Sequence, residues 1–203
     1  MAAFARDVFI NCPFDPSYQV MFRAIVFAIT RSGFRALCAL EVDDASQNRW
    51  SLISDIVDQC RYGIHDISRT QLDGDPPLPR FNMPLELGLF LGAKRFGDQV
   101  QKRKRCLVLD TERYRYQRFI SDLAGQDVHS HGNDPAVCIE VVATWLRVQS
   151  RSTTVPGGRA MAREFEAFET ELPGLCAGLQ LEIDEMTFGD LTGLASEYIA
   201  VAL

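Results

Sequence analysis

The chain of 203 residues lacks any apolar run near the roughly 20 residues that a membrane-spanning helix needs, so no membrane partner is expected. It lacks a leader pattern too: Arg6 and Asp7 interrupt the start, and Asp7-Val8-Phe9-Ile10 reads as a strand, which predicts a soluble, cytoplasmic protein. Its six cysteines include no C-x-x-C pair and sit mostly in apolar patterns. That predicts reduced, buried thiols in place of a disulfide frame or zinc site. Histidines number three, and His129-Ser130-His131 comes without a third ligand, so no metal is expected. The phosphate motifs G-x-G-x-x-G and G-x-x-x-x-G-K-[ST] are missing, which disfavours a dinucleotide dehydrogenase and a P-loop nucleotidase. G-x-S-x-G is missing as well, against a serine hydrolase.

What is present is an ordinary globular composition, 47% hydrophobic and 24% charged. A net charge of −6 argues against a general nucleic-acid binder. The charge is unevenly spread. Residues 94–118 carry nine basic against three acidic side chains, with Lys102-Arg103-Lys104-Arg105 at the centre, and residues 160–203 carry one Arg against nine acids. The basic run reads as a solvated loop before a strand; the other reading is a contact with an anionic partner or with the acidic tail of a second copy, making the protein a homo-oligomer. Arg113 to Arg118, where Tyr and Arg alternate, reads as a local helix face and not as a single-strand binder.

Strand and helix patterns alternate. Apolar β runs fall at 7–12, 35–41, 62–67 and 106–110. Between them, Phe22, Ile25, Val26 and Ile29, and then Ile53, Ile56, Val57 and Cys60, recur at helical spacing, with Gly33 as a stop and Ser46 as a cap. A third helix is expected over 82–96, and a fourth carries Cys138, Val141, Val142 and Trp145 behind Asp134-Pro135. Near-continuous apolar strands separated by helices predict an α/β, flavodoxin-like, doubly wound parallel sheet over residues 1–150. A polar stretch around 150–158 then leads to a C-terminal helical extension, 151–203, with one helix on Ala162, Phe165, Phe168 and Leu172 and another over 188–201.

In such sheets the loops after the strands decide function. Three segments lie there: Asn11-Cys12-Pro13-Phe14-Asp15, His65-Asp66-Ile67-Ser68-Arg69, and Arg80-Phe81-Asn82-Met83-Pro84-Leu85-Glu86-Leu87-Gly88. Glu86 is the sharpest residue. With Asn82 as N-cap it would end the first helical turn, where the dipole keeps a carboxylate ionised. Such a group attacks or stabilises a sugar carbon of oxocarbenium character, or else merely supports the macrodipole. Gly88 and Gly92, four apart, predict close helix–sheet packing that would hold Glu86 rigid. Arg69 and Arg80 are candidates for a diphosphate, Phe14 and Phe81 for stacking on a base, and His65 for a general acid.

These residues carry a resemblance. Asp7-Val8-Phe9-Ile10 is similar to the opening strand of TIR domains. The run through Asn82-Met83-Pro84-Leu85-Glu86-Leu87-Gly88 resembles both the TIR helix bearing the catalytic Glu and the D…E-x-G segment of nucleoside 2-deoxyribosyltransferases. Both families share a flavodoxin-like fold and cleave N-glycosidic bonds. The resemblance implies Glu86 as the catalytic carboxylate and Asp66 as the group orienting the ribose or Glu86. It places Asn11 to Asp15 on the base side, with His65, Arg69, Arg80, Phe81 and Asn82 around the substrate. NAD or another nucleotide would be the substrate and no cofactor would be needed; a role in bacterial stress or phage defence follows from the resemblance alone. The pattern departs from TIR domains where Arg80-Phe81-Asn82-Met83-Pro84 replaces the serine and tryptophan before the Glu, which leaves the substrate open. The alternative reading is a nucleotide-sensing or self-associating module without turnover.

Overall fold

The computed structural model describes residues 4–41, 46–70, 72–73 and 78–202. In chain order the elements are β1 (Asp7–Asn11), α1 (Gln19–Arg31), β2 (Arg35–Cys38), α2 (Arg49–Gln59) and β3 (Tyr62–Asp66). The two-residue strands β4 (Leu72–Asp73) and β5 (Leu78–Pro79) follow, then α3 (Asn82–Phe96), β6 (Arg105–Asp110) and β7 (Val128–Ser130). Helices α4 (Pro135–Ser150), α5 (Gly158–Gly178) and α6 (Phe188–Ala202) complete the chain. Five strands form one parallel sheet in the order β2-β1-β3-β6-β7, while β4 and β5 pair antiparallel with each other. The fold is the flavodoxin-like, doubly wound α/β arrangement with C-terminal helices.

Alternate residues of each strand serve opposite faces, as the pleat requires. Val8 and Ile10 of β1 join a core shared with α1, α4, α5 and α6, whereas Phe9 between them packs with Ile53, Ile56, Val57 and Phe90 of α2 and α3. The order reverses between β1 and β3: the chain leaves β1 toward β2 on one side, and the later strands build out on the other. That reversal is the switch point, where the lips of α1 and α3 part at the carboxyl ends of the strands.

Gly33 stops α1 with φ +79°, and Asp134 caps α4, accepting from the backbone N–H of Ala136 with Pro135 at the first turn. Elsewhere the structure corrects the local reading. The cap of α2 is Asn48, whose side chain accepts from the N–H groups of Trp50 and Ser51, two residues beyond the expected Ser46. Gly88 and Gly92 are not close-packed: a Cβ on either would meet nothing within 4 Å. The glycine that close approach does require is Gly63, where a Cβ would lie 2.7 Å from His65 Nε2 and 2.8 Å from the Phe90 ring. The strand β7 escaped the sequence reading because Val128-His129-Ser130 is short and half polar.

The basic run is not simply solvated. Lys104, at its centre, is fully buried; its Nζ donates to the carbonyls of Val57 and Cys60 at the end of α2 and lies 4.7 Å from the Phe90 ring centroid. A cation there answers the negative end of the helix dipole. Burial pushes its amine down to about 8. Lys104→Met keeps the stem but leaves both carbonyls unpaired, so urea unfolding should show a loss of about 2 kcal/mol; an unchanged midpoint would mean that water replaces the ammonium.

The acidic extension lies against its own chain. Arg23 and Arg31 of α1 make bidentate pairs with Glu169 and Glu164 of α5, at 2.6–2.7 Å and 2.7–3.2 Å. Phe27 packs 5.6 and 5.3 Å from the rings of Phe165 and Phe168, and Phe168 packs 5.3 Å from Tyr198 of α6. The helices therefore complete the core on the α1 face, and two of the nine acids of the extension pair with α1. No helix among the described residues is long and apolar enough to cross a membrane.

Candidate functional site

The residues that the sequence placed at the strand ends fall into two different roles. The first is support. Asn11, at the end of β1, is buried; its Nδ2 donates to the Met83 carbonyl at 2.8 Å and lies 3.0 Å from His65 Nδ1. With Nδ1 accepting, the His65 proton sits on Nε2. The ring is fully buried against Phe9 and Phe90, and burial, with the Lys104 charge second, lowers its pKa to about 3. A neutral, enclosed imidazole cannot act as the expected general acid. Asn11 and His65 instead fix the first turn of α3 against β1, and Glu86 follows Met83 by three residues.

Asp66 is likewise interior. It accepts from the Tyr18 hydroxyl and from the Ser68 backbone N–H at 2.7 Å, and His131 Nε2 lies 3.0 Å from its Oδ2. His131 Nδ1 accepts from the Asn133 N–H at 3.0 Å, which puts the ring proton on Nε2, toward the carboxylate. Burial alone would raise the Asp66 pKa, but His131, Ser68 and Tyr18 outweigh it and hold the carboxyl below its ordinary range. An acid so enclosed does not reach a ribose; it locks β3 to α1 and to the segment after β7. His129 stands apart on the edge strand, half-exposed, so the H-x-H pair is split. Among the described residues no three His, Cys, Asp or Glu side chains are grouped to hold a metal.

The second role belongs to groups facing outward. Glu86 is half-buried and makes no hydrogen bond or ion pair with any described residue. Arg49 at the start of α2 partly offsets the effect of burial on Glu86, and Glu86 is the least of the causes that raise the pKa of Cys12, just after β1. Phe81, not Asn82, is the N-cap of α3, and it offers no side-chain cap; Glu86 thus lies a full turn inside the helix. The expectation of a dipole-held, ionised Glu86 is corrected accordingly: burial, only partly offset by Arg49, pushes it up to about 7. Near neutral pH the group is poised between acid and base.

Around it, Phe81 is 67% exposed and free to stack, and Asn82 is exposed beside it. Phe14 is spent on packing, edge-on to Phe22 at 5.4 Å. Arg80 pairs with Asp15 at 2.5 Å, an ion pair spanning from the β1 loop to the entry of α3. Among the described residues Arg69 contacts only the Ser17 hydroxyl, at 3.4 Å, and its Nε is buried without a partner. The sequence reading missed Trp50, 46% exposed next to Arg49. A helix-starting Trp on the exposed side of the α2 stripe was the available signal. No family model, curated protein or solved structure matches the chain.

Proposed function

We propose that the protein is an N-glycosidase that cleaves NAD or a related nucleotide, with Glu86 as the catalytic carboxylate. The observation that carries the reading is Glu86 itself: a half-buried acid of α3 with no hydrogen bond or ion pair among the described residues and its pKa raised to about 7. A structural acid would be paired or solvated; one held apart and desolvated is available to a reacting cation. Nicotinamide as leaving group fits the surroundings better than a purine. The bond from the anomeric carbon to a pyridinium nitrogen breaks with its electron pair moving to that nitrogen, so nicotinamide leaves neutral without protonation. A purine needs an acid, and His65 is buried and neutral. Glu86 stabilises or traps the resulting oxocarbenium ion, water adds to it, and the water's proton passes to solvent or to Glu86.

Incubating the purified protein with NAD is expected to yield nicotinamide and ADP-ribose in equal amounts, and Glu86→Gln should lower the rate by about 10³-fold, within the usual range for a positioned carboxylate. A rate per molecule that climbs with protein concentration would show that copies assemble for turnover. Equal rates in wild type and variant would remove Glu86 from the chemistry.

A further inference from the structure

We propose that Arg69 is the phosphate anchor of this site, so that its ligand is a nucleotide bearing a phosphate ester on the ribose and not a nucleoside; the proposal rests on reading the switch point as a nucleotide site. Five other arginines are committed to carboxylates, and Arg61, whose Nε is also buried without a partner among the described residues, precedes β3 at the opposite, amino end of the sheet and lies 5.4 Å from the Tyr62 ring centroid. Arg23, Arg31, Arg35, Arg80 and Arg115 each pair with a carboxylate at 2.5–2.7 Å. Arg69 has none among the described residues, only the long contact to Ser17, and a buried Nε–H with no acceptor. A buried guanidinium N–H left without an acceptor is uncommon in native proteins and calls for an explanation. An anion supplied from outside is the simplest acceptor for that fork, whose planar donors match two phosphate oxygens.

The loop around Arg69 is held more firmly than a surface arginine requires. Arg115 Nη2 donates to the carbonyls of Ile67 and Ser68 at 3.0 and 2.9 Å, and its Nη1 reaches Thr70 Oγ1 at 3.3 Å. Asp66 fixes the Ser68 N–H, and Asp110 holds Arg115 from behind at 2.7 Å through Nε. The backbone is thus pinned just before residue 69, and the Thr70 side chain is held just after it, which helps to pre-organise a binding side chain. Arg69 follows β3 and Ser17 precedes α1, so their contact lies at the carboxyl end of the sheet, the edge from which α3 with Glu86 also starts. Asp15, a half-buried acid in the same loop as Ser17, is paired with Arg80.

Calorimetric titration with AMP and with adenosine, at one ionic strength, tests this on wild type, Arg69→Gln and Arg69→Lys. Wild type is expected to bind AMP about tenfold or more tighter than adenosine, as a charge-assisted pair warrants. Arg69→Gln should erase that preference while leaving adenosine affinity in place, and Arg69→Lys should retain part of it. Thermal melting of the variants, expected to match wild type because Arg69 makes no ion pair, separates loss of binding from loss of fold. Equal affinities for AMP and adenosine in wild type, no binding of AMP, or equal weakening of both ligands in Arg69→Gln would overturn the proposal. The two readings fail separately: discrimination of AMP without any nicotinamide release from NAD sinks the glycosidase, and equal release from nicotinamide riboside and its mononucleotide sinks the anchor alone.

Discussion

Glu86→Gln is expected to slow turnover about 10³-fold and, above neutral pH, to make the protein more stable. The carboxyl's pKa in the fold is about 7 against an ordinary 4.5, so between these values the folded state holds the proton that the unfolded state has lost. Stability of the wild type therefore falls as pH rises through that window. Gln has no charge to desolvate. The variant should match wild type near pH 4.5 and exceed it by about 1–2 kcal/mol at pH 8, after allowance for solvent screening of a half-exposed group. Urea unfolding at the two pH values reads the difference directly. A gap that does not widen with pH would show that Glu86 is fully hydrated, and the site would lose its poised acid. Stability surrendered at one residue for function is the usual sign of a working site.

Asp66→Asn has the opposite signature. Three donors converge on that carboxylate, and an amide placed there turns a donor toward at least one of them. Removing one side of a buried charged arrangement is expected to lower stability by about 3 kcal/mol. The pH dependence changes as well. The Asp66 pKa is depressed, so its contribution is present above the ordinary value of 3.8 and disappears as pH falls below it; the variant should lack that acid-side decline. Were Asp66 the ribose-orienting group that the family resemblance implies, the variant would keep its stability and lose turnover alone. Full stability with lost activity is thus the outcome that would contradict the burial argument.

The difference between these two acids explains what the sequence could and could not disclose. Helix α3 spans Asn82–Phe96, as its apolar spacing indicates, and the alternation of strands and helices is enough to read the doubly wound sheet. Glu86 stands out because a carboxylate between two leucines is locally anomalous. Asp66 looks equally reactive in one dimension, but its role depends on Tyr18 and on His131, which come from distant stretches of chain. Lys104 is similar: four consecutive basic residues read as a solvated run, yet one of them turns inward because α2 ends with carbonyls beside it. The distinction between Arg69 and Arg80 is also tertiary. Both are loop arginines of like context, and only the placement of Asp15 shows which of them is already paired. Periodicity records which face a residue occupies, whereas the partner that uses up a charge is set by packing across the fold.

The most direct test of the account is the pH profile of kcat/KM for nicotinamide release from NAD. An ionised Glu86 is needed to stabilise the developing cation, so the rate should climb with pH and level off with a midpoint near 7, following the free protein's carboxyl. In Glu86→Gln that limb should vanish along with the activity. Release that is flat from pH 5 to 8, or a limb that survives the substitution, would contradict the assignment of Glu86 as the catalytic group.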